Sequence, residues 1–201
     1  MKAIVLGGVA AGMSAASKLK REKPDADIAV YERGSFLSYG ACGLPYYIGG
    51  FNPEASRLIA RTREQYDQMG IRTYLRHEAL QVDAAARRVQ VKNHDTGETF
   101  WDAYDTLMIG VGCDSVMPGV PGANLPSVFY VKTMEDGLLF ERIAHLKGVN
   151  EVVIVGGGYI GVEMAEAMLH LQKKVTLVEA ADRLLTPFEP EFSEMAAQEL
   201  E

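Results

Sequence analysis

Cys42 stands in the segment Ser35-Phe36-Leu37-Ser38-Tyr39-Gly40-Ala41-Cys42-Gly43-Leu44-Pro45-Tyr46-Tyr47, where Gly40, Ala41 and Gly43 leave its sulfur uncrowded. A thiol does nucleophilic or redox work as the thiolate, so its use depends on access for a partner. One other cysteine occurs, Cys113, read here as a small buried hydrophobe. Two thiols so far apart make neither a disulfide framework nor a metal-ligand spacing, and they fit a reducing, cytoplasmic setting. His77, His94, His145 and His170 also lack metal-ligand spacing, so no metal site is expected.

Two glycine-rich turns flank the cysteine segment. The first, Gly7-Gly8-Val9-Ala10-Ala11-Gly12, follows the β-rich run Lys2 to Leu6 and opens a helical pattern to about Glu22. The next strand, Ile28 to Tyr31, ends on Glu32. The second, Gly156-Gly157-Gly158-Tyr159-Ile160-Gly161, follows Glu151 to Val155, opens a helix to Leu171, and precedes a strand ending on Glu179. Such a unit sets a pyrophosphate on a helix N-terminus and a carboxylate on a ribose hydroxyl. The second turn matches G-x-G-x-x-G in full, whereas Val9 replaces the second glycine of the first. Two dinucleotide sites in one chain suggest electron transfer between two dinucleotides.

The elements that position these groups read as an α/β fold, with tandem Rossmann-like units and an antiparallel β-meander insertion. A short helix spans Arg63 to Met69 with Gly70 as its stop, and a strand covers Ile71 to Leu75. Alternating runs at 80–82 and 88–91, then a turn at 93–97 leading into 98–101, make the meander. Tyr104 to Ile109 reads as another buried strand, ending in Gly110-Val111-Gly112. Pro118, Gly119, Pro121, Gly122 and Pro126 mark a linker, followed by helices at 134–146 and 191–200. The expected division is 1–115 for the first nucleotide domain, 116–148 for a linker and connecting helix, and 149–201 for the start of the second. One βαβ pair is little sheet for a second nucleotide domain, so the chain is expected to be the front part of a longer enzyme.

The bulk numbers agree. The chain has 201 residues, 48% of them apolar, and a net charge of −7. That charge disfavours a nucleic-acid partner, because phosphate backbones need a basic face. Gly7 and Gly8 break the apolar start of the chain, which reads as a strand and a helix start, with no targeting or membrane segment.

Gly7 to Gly12, Ser38 to Tyr47, Leu58-Ile59-Ala60-Arg61-Thr62, Lys132-Thr133-Met134-Glu135-Asp136 and Gly156 to Glu163 together resemble the flavin-dependent pyridine nucleotide-disulfide oxidoreductases. The resemblance is to their single-cysteine branch, with coenzyme A-disulfide reductase, NADH oxidase, NADH peroxidase and persulfide reductases. Relatives with two cysteines carry C-x4-C, but Tyr47 stands at the second position here. The resemblance implies FAD and NADH as cofactors, with NADPH as the alternative to NADH, and a homodimer. It implies FAD contacts at Gly7, Val9, Ala10, Ala11, Gly12, Glu32, Arg33, Val82, Gly110 and Gly112. NAD(P)H contacts follow at Gly156, Gly158, Tyr159, Ile160, Gly161, Glu163 and Glu179. Tyr159 matches the tyrosine that covers the flavin, and Glu163 the glutamate near the nicotinamide.

The resemblance also implies that Cys42 alternates between thiolate and mixed disulfide or persulfide. Coenzyme A disulfide, or a related persulfide or polysulfide, is the substrate, with Ser14, Lys18, Arg21 and Ser38 at the matching binding positions. Ser14, Lys18 and Arg21 indeed fall at i, i+4 and i+7 of one helix face. Peroxide- and oxygen-reducing members carry a histidine where this sequence has Ala10, which disfavours that chemistry. Gly110-Val111-Gly112 lacks the hydroxyl of the family's Ala-Thr-Gly. The alternatives are an NADH oxidase or peroxidase on the same scaffold, and an inactive nucleotide-binding fragment.

Overall fold

A computed structural model describes residues 1–200. The chain divides into two compact units, Met1–Gly40 with Leu58–Pro118, and Ala41–Arg57 with the chain from Gly119 onward.

In the first unit, β1 (Lys2–Leu6), α1 (Ala10–Glu22) and β2 (Asp27–Tyr31) form the leading βαβ turn. In the second unit, a 3-10 turn at Ala41–Gly43 leads into α2 (Leu44–Ile48). The first unit resumes with α3 (Arg63–Gln68), β3 (Ile71–Tyr74), β4 (His77–Asp83), β5 (Arg88–Asn93), β6 (Thr99–Ala103) and β7 (Thr106–Ile109). Its main sheet has the order β3-β2-β1-β7, all parallel, and β4-β5-β6 is the antiparallel meander.

Strand periodicity explains how that sheet is covered. Ala3, Val5, Ile28 and Val30 turn to one face and join Met13 and Ala16 of α1 with Tyr66 of α3. Ile4, Leu6, Ala29 and Tyr31 turn to the other and meet Val89 and Val91 of the meander. β1 and β2 are therefore buried on both faces, as apolar parallel strands require. β7 is not the buried strand expected from its composition. It pairs only with β1 at the sheet edge, and Ile109 is 59% exposed.

The second unit continues with α4 (Met134–Ala144), β8 (Glu151–Val155), α5 (Tyr159–His170), β9 (Lys174–Val178) and α6 (Pro190–Leu200). β8 and β9 pair in parallel, with α5 as the crossover. α2 is anchored here by Leu44 and Ile48, both fully buried. A Cβ on Gly137 of α4 would lie 2.5 Å from the Leu44 Cδ2, so a side chain there would require Leu44 to shift. The His145 Nε2 lies 3.2 Å from the Ile48 carbonyl oxygen and holds the other end of α2. Among the described residues, no helix is long and apolar enough to cross a membrane.

Candidate functional site

The two glycine turns are built alike. Gly7 and Gly156 take φ of +95° and +110°, which L side chains rarely adopt. Beneath each turn the last glycine of the motif is fixed by contact. A Cβ on Gly12 would lie 1.8 Å from the Gly7 carbonyl oxygen, and one on Gly161 would lie 1.8 Å from that of Gly156. The position held by Val9 behaves differently, because a Cβ at its counterpart Gly158 meets nothing within 4 Å. The protein itself therefore tolerates a side chain there, which accounts for the broken pattern of the first turn.

The strand-end acids close each turn. Glu32 accepts from the Gly8 N–H at 2.6 Å and from the Gly34 N–H at 2.7 Å. Glu179 accepts from the Gly157 N–H at 2.5 Å and from the Ala181 N–H at 2.8 Å. Backbone donors at Ala181 and Gly157 hold the Glu179 carboxyl below the usual glutamate range. Each carboxylate is thus set at the rim of a turn whose helix begins with unpaired N–H groups.

The helix starts sharpen that point. α3 and α4 begin with capping boxes, Thr62 with Gln65 and Thr133 with Asp136. α1 and α5 begin at Val9 and Gly158 with no side-chain cap. Their first-turn donors and positive dipole ends suit a pyrophosphate, so the residues present fit a dinucleotide at each turn.

Other expected cofactor positions are placed as follows. Gly110 donates to the Leu6 carbonyl at 2.7 Å, and its own carbonyl leaves no room for a Cβ on Gly7. Gly112 has φ of +68°. Arg33 makes a two-armed pair with Asp114, Nη2 to Oδ1 at 2.5 Å and Nη1 to Oδ2 at 3.3 Å, and lowers the Asp114 carboxyl's pKa. Val82 is exposed on β4, opposite Val89. Tyr159 and Ile160 are exposed on the first turn of α5, Tyr159 edge-on to Phe188, while Glu163 lies one turn further along and is half-buried.

A cleft of about 430 Å³ opens beside the first turn, lined by Val9, Ala10, Met13, Ser14, Ser17, Arg21, Ser38, Tyr39, Gly40, Ala60, Arg61 and Tyr66. It gathers three of the four expected substrate residues, Ser14, Arg21 and Ser38. Lys18 does not line it and pairs with Glu22 at 3.1 Å on the exposed side of α1. At 100° per residue, Ala10, Ser14, Ser17 and Arg21 share a stripe about 60° wide, and Lys18 falls about 40° beyond its edge. Ser38 takes φ of +52°, with its N–H donating to Gly8 and its carbonyl accepting from Ala60.

Cys42 is an exposed free thiol on the 3-10 turn before α2, two residues after Gly40 in the chain. Cys113 is also exposed, contrary to the buried position expected of it. It lies in an irregular segment after the edge strand β7.

A profile for pyridine nucleotide-disulphide oxidoreductases matches residues 1–201. The chain belongs to the pyridine nucleotide-disulphide oxidoreductase family. It is 34% identical over 198 residues to a CoA-dependent NAD(P)H sulfur oxidoreductase of Pyrococcus abyssi, covering 98% of this chain and 44% of that one. It is 32% identical to an NADH oxidase of Enterococcus faecalis, over 100% of this chain and 45% of that one. The solved structure of reduced CoADR-RHD from Bacillus anthracis superposes with a TM-score of 0.95 at 31% identity, over 99% of this chain and 36% of that one. The chain spans less than half the length of these family members.

Sequence alone assigned no binding role to Met13, Ser17, Tyr39, Gly40, Ala60, Arg61 and Tyr66 of the cleft. Ser17 was within reach, since it belongs to the α1 stripe. Arg61 sits in a segment that carried the resemblance but no assigned role. Tyr66 gave no local signal, because its place in the cleft comes from α3 packing on the sheet.

Proposed function

We propose that the chain is the nucleotide-binding and thiol-bearing part of an FAD- and NAD(P)H-dependent reductase that acts on coenzyme A disulfide or a related persulfide through Cys42. One observation carries the reading. Two guanidinium groups, Arg21 and Arg61, share a cleft with the hydroxyl-bearing Ser14, Ser17 and Ser38 beside the first dinucleotide turn. That combination suits the phosphates of a coenzyme A moiety.

FAD bound at the first turn would supply the two-electron couple between nicotinamide and sulfur. The chain's own residues then have separate tasks. Gly7 to Gly12 present backbone donors to one pyrophosphate and Gly156 to Gly161 to the other, while Glu32 and Glu179 accept from ribose hydroxyls. Glu179, fixed by two backbone donors, disfavours a 2′-phosphate, so NADH is the preferred nicotinamide. Cys42 attacks one sulfur of the disulfide as thiolate, forms a mixed disulfide and releases one coenzyme A thiolate. With no cysteine at Tyr47, the mixed disulfide waits for outside electrons, and NADH is the overall reductant. Ala10 on the cleft wall offers no acid-base group for peroxide chemistry, which weighs against the oxidase reading. The homodimer implied by the family is the expected assembly.

Anaerobic NADH titration of the FAD-reconstituted protein with coenzyme A disulfide tests this. Each NADH oxidised should release two coenzyme A thiols, and Cys42→Ser should lower turnover at least a hundredfold. Undiminished turnover in Cys42→Ser, or, in a separate aerobic assay, oxygen consumption outpacing disulfide reduction, would overturn it.

A further inference from the structure

We propose that Tyr66 is a positioning residue for the cleft, aiming the Ser38 hydroxyl with its phenol and holding the Arg61 guanidinium with its ring. The Tyr66 hydroxyl lies 2.7 Å from Ser38 Oγ in a buried bond. The Arg61 guanidinium stands 5.5 Å from the Tyr66 ring centroid, a cation–π distance. All three residues line the same cleft, so one side chain organises both polar groups.

Ser38 needs such a partner. Its left-handed backbone, at φ of +52°, is one that serine seldom takes, and its peptide is pinned on both sides, to Gly8 at 2.8 Å and from Ala60 at 2.7 Å. A serine hydroxyl otherwise rotates among several directions. With the phenol in place one of its bonds is committed, and the rest of its capacity is directed to the cleft. Tyr66 is itself fixed, being 3% exposed in the sheet core and on a helix held by the Thr62–Gln65 capping box. Phenylalanine would fill that core equally well, so the hydroxyl is the atom that separates a positioning role from packing.

The inference rests on the proposal that this cleft takes a coenzyme A moiety, and the experiment separates the two. Dissociation constants for coenzyme A are measured by calorimetry for the wild-type chain, Tyr66→Phe, Ser38→Ala and the double variant. Tyr66→Phe should weaken binding about fivefold, the worth of one hydrogen bond, and add nothing further in the Ser38→Ala background. A general packing defect would instead multiply with Ser38→Ala, and that result, or wild-type affinity in Tyr66→Phe, overturns the positioning role. Amide exchange of Ser38 and Ala60, read without ligand, should quicken about fivefold in Tyr66→Phe while β1 amides stay unchanged. Unchanged Ser38 and Ala60 exchange overturns the inference. Faster exchange in a chain whose wild type binds no coenzyme A supports the positioning role and sinks the reading of the cleft.

Discussion

Gly161 and Glu179 show how single atoms decide whether the second turn can form. The Cβ of Gly161→Ala would overlap a carbonyl 1.8 Å away, and backbone is poorly able to yield. Urea unfolding should show Gly161→Ala destabilised by about 2 kcal/mol, with NADH binding lost as well. Gly158→Ala, whose Cβ meets no protein atom, should leave stability nearly unchanged while reducing dinucleotide affinity. Glu179 yields a pH dependence. Its carboxyl is held below the usual range by backbone N–H groups, so the folded state binds its proton less readily than the unfolded chain. Its contribution is complete above the ordinary glutamate value of about 4.3, and is lost as pH falls from there through the lower folded-state value. Thermal midpoints measured from pH 7 to pH 3 should therefore fall less steeply for Glu179→Gln than for wild type.

Elements divide by what their ends are for. α3 and α4 close their first turns with their own side chains, whereas α1 and α5 have no side-chain cap. Thr133→Ala should cost about 1 kcal/mol of stability in thermal or urea unfolding, without changing nucleotide affinity. The glycine turns, the flanking strands and the strand-end acids were legible in the sequence because their spacing is dictated by local backbone geometry. α2 was not, since Leu44 to Ile48 is a short segment whose seat is set by distant stretches of chain, Gly137 against Leu44 and Ala167 against the C-cap residue Gly49. The burial expected of the Tyr104 to Ile109 strand and of Cys113 also failed, because apolar composition does not reveal that β7 sits at a sheet edge. Ser14 and Arg21 follow from helix periodicity, but Lys18 shows its limit: one step of 100° separates a cleft residue from a solvated one.

At the scale of the molecule, two glycine turns of the same build and one exposed thiol in a glycine-rich segment are the features on which the proposed reductase rests. The chain's family is that of the pyridine nucleotide-disulphide oxidoreductases, and under the proposed function the cleft residues favour coenzyme A disulfide as the electron acceptor. The presence of two exposed thiols makes the assignment of Cys42 open to direct test. Incubation with coenzyme A disulfide, followed by intact-mass and peptide mass spectrometry, reads which sulfur forms the mixed disulfide and how fast. The account predicts one coenzyme A adduct per chain, on Cys42, forming at least tenfold faster than the adduct from glutathione disulfide, retained in Cys113→Ser and lost in Cys42→Ser. Adduct formation centred on Cys113, or equal rates with the two disulfides, would contradict it.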